Sequence, residues 1–415
     1  MKKIVSILLA LILSFALVAC ADSEAPQPDA PAAEEEQAPI TPTAAKINGV
    51  DISEYTIVYA YNPDRAFYAQ YPELVTQDTE YDKQTAENLA ALIKTNFGAT
   101  VKVARDEEQA KGDKEIIIGM TNRGLVDVTL GSFTSVKDYA VKENGGKIVI
   151  CGKSYGATWH AAEDFIADLL TQNAAVAEVK AGYSLSAKAK MVVVGCIGDS
   201  ITNGSGSKGT TITDNSTRRA IVSYPAVLQR IEWKDMVVYN YGQGGRTMIE
   251  NFVWTDGSGN HGWTSSTYYQ PCMDNAANID LALIMLGTND SNSSRAKDAG
   301  YNFGTTAYKN TFINSCEKIV NELKAKNSNM EIALLNCPVS YHSFEADMML
   351  YIRPYQKAAA QKLGLHHLDM YKETMNKTTS TDYPDGLHPS DTGYTKYAQI
   401  VDGLIAPIVK DILAK

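Results

Sequence analysis

From about residue 190 onward the chain is built around near-continuous apolar runs, at 191–197, 236–241, 279–286, 331–337 and 366–370. Helical patterns lie among them, clearest at 306–324, 346–363 and 392–413. A strand that is apolar on both faces must be covered on both faces, and strands that alternate with helices pair in parallel. Five such strands predict an α/β fold with a flavodoxin-like, doubly wound five-stranded parallel sheet. In a sheet of this kind ligands bind outside the carboxyl ends of the strands. The residues that directly follow each strand are therefore the ones to inspect.

Four of those stretches carry chemistry. Gly198-Asp199-Ser200 follows the first run, and the second gives Asn240-Tyr241-Gly242-Gln243-Gly244-Gly245. The third ends in Gly287-Thr288-Asn289-Asp290, and Asp385-Gly386-Leu387-His388-Pro389 precedes the last helix. A serine in isolation reads as a turn or cap residue. Here the topology brings it to one rim with a base, an acid and amide donors. A serine hydroxyl is a weak nucleophile that needs a base within hydrogen-bond reach, which His388 supplies to Ser200. Asp385, three residues before His388, is placed to orient the other ring nitrogen. Attack on a carbonyl creates an oxyanion, for which the Ser200 N–H, the Gly245 N–H and the Asn289 side-chain amide are candidate donors. Asp199 and Asp290 read as residues that shape their loops.

The four blocks, in this order, resemble those of the SGNH hydrolase, or GDSL-like esterase, superfamily. Its four name residues are matched by Ser200, Gly245, Asn289 and His388. The resemblance covers roughly 190–415 and implies a serine esterase with Ser200, His388 and Asp385 as catalytic residues. It implies an oxyanion hole of Ser200, Gly245 and Asn289, with no metal and no organic cofactor. The second block departs from the family, with Gly244-Gly245-Arg246 in place of a small residue, Gly and an acid. Gly245, five residues after Asn240, is the favoured donor there, and Gly242 is the alternative.

The other end of the chain speaks to location. Lys2 and Lys3 precede an apolar run from Ile4 to Val18, too short to span a bilayer comfortably, and Ala19-Cys20 follows. This reads as a signal peptide over 1–19. Leu17-Val18-Ala19-Cys20 resembles the lipobox of bacterial lipoproteins, in which Cys20 is lipidated and tethers the protein to a membrane; simple secretion is the alternative. The expected site is the outer face of the cytoplasmic membrane, at the cell surface or in a periplasm. Residues 21–45 hold five of the 14 prolines and no aromatic, so 20–45 reads as a solvated linker. Without residues 1–19 the chain keeps 36 basic and 48 acidic residues. That balance, with no basic cluster, argues against nucleic acid as a partner. The five cysteines other than Cys20, at 151, 196, 272, 316 and 337, are scattered through apolar runs and read as buried thiols.

Residues 46–187 predict a smaller mixed α/β unit. It has strands at 55–59 and 115–119, a hairpin over 139–151 turning at Asn144-Gly145-Gly146, and helices at 85–97 and 157–170. Its pattern resembles small accessory domains found ahead of catalytic domains in several carbohydrate-active enzymes. Three further features of the sequence bear on function. Gly204-Ser205-Gly206-Ser207-Lys208-Gly209 spells a dinucleotide fingerprint, but no helix pattern follows it, so it predicts a flexible loop beside the site. His366-His367 lacks a third ligand and reads as packing rather than metal binding. Residues 253–271 are rich in aromatics, and Trp254, His261, Trp263, Tyr268 and Tyr269 are candidates for stacking on sugar rings or for packing between the two domains. The partner this predicts is an acylated carbohydrate or another small ester, with acetyl the expected acyl group. An acyltransferase, a lipid esterase of the same fold and an inactive surface carbohydrate-binding protein are the rival readings.

Overall fold

The computed structural model describes residues 39–60, 81–125, 131–207, 222–254, 259–292 and 302–415. The expected signal peptide, the lipidation site Cys20 and most of the expected linker lie outside them, as do Lys208 and Gly209.

Among the described residues, the first part of the chain contributes nine strands and two long helices. In order these are β1 (Ala44–Ile47), β2 (Val50–Asp51), β3 (Thr56–Tyr59), α1 (Tyr81–Phe97), β4 (Lys102–Arg105), β5 (Glu115–Ile118), β6 (Asp138–Asn144), β7 (Lys147–Gly152), α2 (Tyr155–Leu170), β8 (Val176–Val179) and β9 (Ser184–Lys188). They form a six-stranded sheet ordered β4-β3-β5-β7-β6-β9 and a three-stranded sheet ordered β2-β1-β8. The hairpin turn falls where its sequence puts it. Asn144 pairs with Lys147, and Gly145 and Gly146 both take positive φ, 60° and 89°, as a two-residue hairpin turn demands. Leu89 and Ile93 of α1 and Ala161 and Phe165 of α2 pack on Ile57, Ile116, Ile118, Ile148 and Ile150 of the sheet.

The second part holds the predicted parallel sheet. Its elements are β10 (Val192–Gly198), α3 (Ser200–Asn203), α4 (Tyr224–Ile231), β11 (Met236–Gly242), α5 (Tyr269–Asn275), β12 (Leu281–Met285), α6 (Thr306–Lys326), β13 (Glu331–Leu335), α7 (Arg353–Leu363), β14 (His366–Leu368), α8 (Met370–Lys377) and α9 (Asp391–Ala414). The strand order is β11-β10-β12-β13-β14, with every pair parallel. In strand sequence that is 2-1-3-4-5, the flavodoxin-like order expected.

Every residue of β10 is buried, and alternate residues serve two different cores. Val193 and Ile197 pack with Phe252, Trp263 and Phe312 on one side. Val192, Val194 and Cys196 pack with Tyr224, Tyr394 and Tyr397 on the other. The expected helix at 346–363 is interrupted. A turn at Glu345–Asp347 leads into a π-helical stretch, Met348–Ile352, before α7 begins at Arg353. Pro354 has no N–H to offer the carbonyl one turn earlier, which accounts for the widened turn.

The ends of β10 and β11 are glycines because α3 lies against them. A Cβ on Gly198 would stand 2.0 Å from Thr202 Oγ1, and one on Gly242 would stand 2.6 Å from the backbone nitrogen of Asn203. The second contact is with backbone and cannot swing aside. Gly242→Ala is therefore expected to destabilise the protein by about 1–3 kcal/mol, the usual range for overpacking, measured as a lowered urea midpoint with the slope retained.

Candidate active site

The first block forms a strand end, one helical turn and a stop. Asp199 caps α3, its Oδ1 accepting the Ile201 N–H at 2.9 Å. Burial pushes its carboxyl up to about 6, against the pull of the Ile201 N–H and the nearby His388. Gly204 ends the turn at φ 100°, its N–H donating to the Ser200 carbonyl at 3.0 Å. Ser200 is thereby fixed as the first residue of α3, only 8% exposed and at the rim of the sheet.

His388 and Asp385 come from the loop before α9. Asp385 Oδ1 accepts the backbone N–H groups of Leu387 at 2.9 Å and His388 at 2.7 Å, which folds the loop around the carboxylate. Its Oδ2 lies 2.7 Å from His388 Nδ1. On the far side of the ring, His388 Nε2 lies 2.9 Å from Ser200 Oγ. A carboxylate oxygen only accepts, so Nδ1 carries the hydrogen and Nε2 turns its lone pair to the Ser200 hydroxyl. Burial raises the Asp385 pKa, but the hydrogen bonds from the His388 ring and from two backbone N–H groups outweigh it, and the net direction is down. The acid thus stays ionised where it orients the imidazole.

The second and third blocks build a cradle beside the hydroxyl. Asn240 Oδ1 accepts the Gly242 N–H at 3.0 Å, and the Gln243 N–H donates to the Gly198 carbonyl at 3.1 Å. The alternative donor Gly242 is therefore already committed, whereas Gly245 lies beyond these ties with φ 76°. Gly244 adjoins the nucleophile, since a Cβ there would stand 3.9 Å from Ser200 Cβ. Asn289 Nδ2 donates to the Arg246 carbonyl at 3.0 Å, and an amide has a second hydrogen for a ligand. Its neighbour Asp290 is fully buried, and its two oxygens accept the N–H groups of Met248 at 2.8 Å and Ile249 at 3.0 Å. Burial pushes that carboxyl up to about 7. Asp290 anchors the chain just downstream of the glycine turn, a role its block alone does not disclose.

The aromatic stretch divides. Trp263 is fully buried and donates its indole N–H to the Tyr241 carbonyl at 3.0 Å, which corrects its assignment to a sugar-stacking surface. Tyr269 packs edge-on against it at 5.5 Å and donates its hydroxyl to Glu322 Oε2 at 3.0 Å. Tyr268 packs against the same core. Trp254 and His261 stack on each other, centroids 3.7 Å apart and planes at 10°, next to the glycine turn. Aromatic content alone does not distinguish a core residue from a surface one.

Gly206 is a site residue that the sequence reading passed over. It has φ 89°, and a Cβ there would lie 2.6 Å from His388 Cβ. Tyr394 holds the same loop by donating its hydroxyl to the Ser205 carbonyl at 2.7 Å. The signal is the second glycine of the 204–209 stretch, a loop expected beside the site. His366 Nε2 lies 3.3 Å from Glu331 Oε2, and no group of metal-ligating side chains occurs among the described residues. All five cysteines within the described residues are free and buried.

A hydroxyl, imidazole and carboxylate in contact, beside a cradle of amides on the carboxyl rim of a doubly wound sheet, form an arrangement that can carry acyl-transfer chemistry. Residues 196–396, which contain all of these groups, match the GDSL-like Lipase/Acylhydrolase family. An acetylxylan esterase of Xylanibacter ruminicola is 26% identical over 236 residues, a stretch covering 52% of this chain and 44% of that protein. The chain thus spans less than half the length of this curated relative. Among solved structures, a carbohydrate acetylesterase family member from Sinorhizobium meliloti is 20% identical, with a TM-score of 0.40, 54% of this chain covered and 100% of that chain. A family two carbohydrate esterase from Clostridium thermocellum in complex with cellohexaose is 17% identical, with a TM-score of 0.39, 55% of this chain covered and 68% of that one.

Gly206→Ala tests the contact with His388. The added methyl has no room beside the imidazole-bearing carbon, and a displacement on the order of 1 Å costs roughly 10²-fold in rate. Hydrolysis of a short chromogenic ester is expected to fall by that order.

Proposed function

We propose that this protein is a serine esterase that removes short acyl groups, acetyl foremost, from carbohydrate. The observation that carries the reading is the unbroken chain from Asp385 Oδ2 through the His388 ring to Ser200 Oγ, with contacts of 2.7 Å and 2.9 Å. Ser200 Oγ attacks the ester carbonyl carbon as His388 Nε2 takes the hydroxyl proton. The carbonyl oxygen becomes an oxyanion among the N–H groups of Ser200 and Gly245 and the Asn289 amide. The intermediate collapses, the alcohol leaves with the proton from His388, and an acyl-serine remains. Water then repeats the sequence and releases the acid. These steps use groups of this chain alone.

The choice of acetylated carbohydrate is supported by the acetylxylan esterase relative. The same proposal includes surface attachment through a lipidated Cys20, supported by the sequence Leu17-Val18-Ala19-Cys20.

The test is a panel of chromogenic acetate, butyrate and octanoate esters and acetylated xylan, with wild type and Ser200→Ala. Acetate is expected to turn over fastest, and Ser200→Ala to lose on the order of 10⁶ in kcat. Asp385→Asn is expected to lose on the order of 10⁴, because an amide in place of the carboxylate favours the wrong tautomer of His388. Unchanged turnover in Ser200→Ala would overturn the reading.

A further inference from the structure

Gly244 and Gly245 form the loosest two-residue segment the backbone allows, yet a donor there is useful only if it points at the oxyanion before the oxyanion exists. Something outside the turn has to hold it. His261 Nδ1 lies 3.2 Å from the Gly245 carbonyl, and a carbonyl only accepts, so Nδ1 carries the hydrogen and donates it. The histidine itself is strapped down. Its N–H donates to the Phe252 carbonyl at 2.7 Å, and its carbonyl accepts the Thr247 N–H at 2.9 Å. Trp254 lies flat against the ring, and its Cη2 would stand 3.2 Å from a Cβ on Gly245. Arg246 ties the same two segments together through Nη1 and the Asn260 carbonyl at 3.0 Å.

We propose that His261 is a positioning residue, its ring held by Trp254 and its Nδ1–H fixing the Gly244-Gly245 turn against Ser200. This rests on the esterase reading above and reassigns His261 from sugar stacking. The imidazole does not touch the reacting atoms. It removes the freedom of the turn that lines the oxyanion, so its loss falls on the transition state and not on ester binding.

The variants His261→Phe, which keeps a flat ring without a donor, and His261→Asn, whose Nδ2 takes the place of Nδ1, separate the possibilities. Both are assayed on chromogenic acetate beside wild type and Ser200→Ala. Removing an oxyanion donor outright costs about 10²–10³ in kcat, and loosening one that remains is expected to cost roughly tenfold. His261→Phe should therefore lose about tenfold in kcat at unchanged KM, and His261→Asn should recover most of it. A wild-type kcat in His261→Phe, a loss confined to KM, or a His261→Asn no better than His261→Phe overturns the proposal. If His261→Phe does not fold, Trp254→Leu carries the same test, with lowered kcat at unchanged KM expected and unchanged kcat against it. Ser200→Ala that retains full turnover would instead overturn the esterase reading, so the two failures are distinguishable.

Discussion

Parallel pairing of β10 with a strand on each side is the constraint on which the rest of this structure depends. Val192 pairs with Met236 on one side, and Val194 with Leu281 on the other. Because the three strands run the same way, their carboxyl ends and the loops that follow are gathered at one edge. The site joins segments far apart in sequence; Ser200 and His388 are 188 residues apart. Their meeting is a consequence of strand direction. The two cores on either face of β10 hold that direction, since a one-residue slip would turn Val193 and Ile197 toward the wrong helices.

Around this frame, neighbouring residues divide the work. Asn289 directs an amide toward the cradle, while Asp290, the next residue, reaches into the interior and holds the chain after the glycine turn through two backbone N–H groups. A buried carboxylate without partners would be costly, and here both oxygens are used. Asn240 acts in the same way at the neighbouring strand end, donating to the Thr202 carbonyl at 2.8 Å while accepting the Gly242 N–H. Gln356 closes the far side by donating to the Leu286 carbonyl and accepting the Cys337 N–H. The carboxyl edge of the sheet is thus stitched by side-chain amides and carboxylates where the ladder ends.

The fold of the second half was legible because fully buried parallel strands write themselves as unbroken apolar runs, and the site was legible because three short blocks fall directly after such runs and a fourth falls just before the last helix. What stayed hidden has a common physical cause. The contact of Gly206 with His388 depends on a positive φ and on a loop meeting another loop, neither of which leaves a periodic trace. Composition does not report depth, so the aromatic stretch leaves Trp263 open between sugar stacking and packing; it lies in the core with its N–H satisfied by Tyr241. The break before α7 was foreshadowed by Pro354, but the apolar spacing of 346–363 runs through it.

Asp385 has one further consequence. Its side chain is 55% exposed, whereas that of His388 is 22% exposed. All three of its contacts are with one stretch of loop, the Leu387 N–H, the His388 N–H and His388 Nδ1, at 2.7–2.9 Å. These separations lie far inside a Debye length, so dissolved ions scarcely screen them. The angle and tautomer of the imidazole are therefore set locally, by a carboxylate that water can still reach.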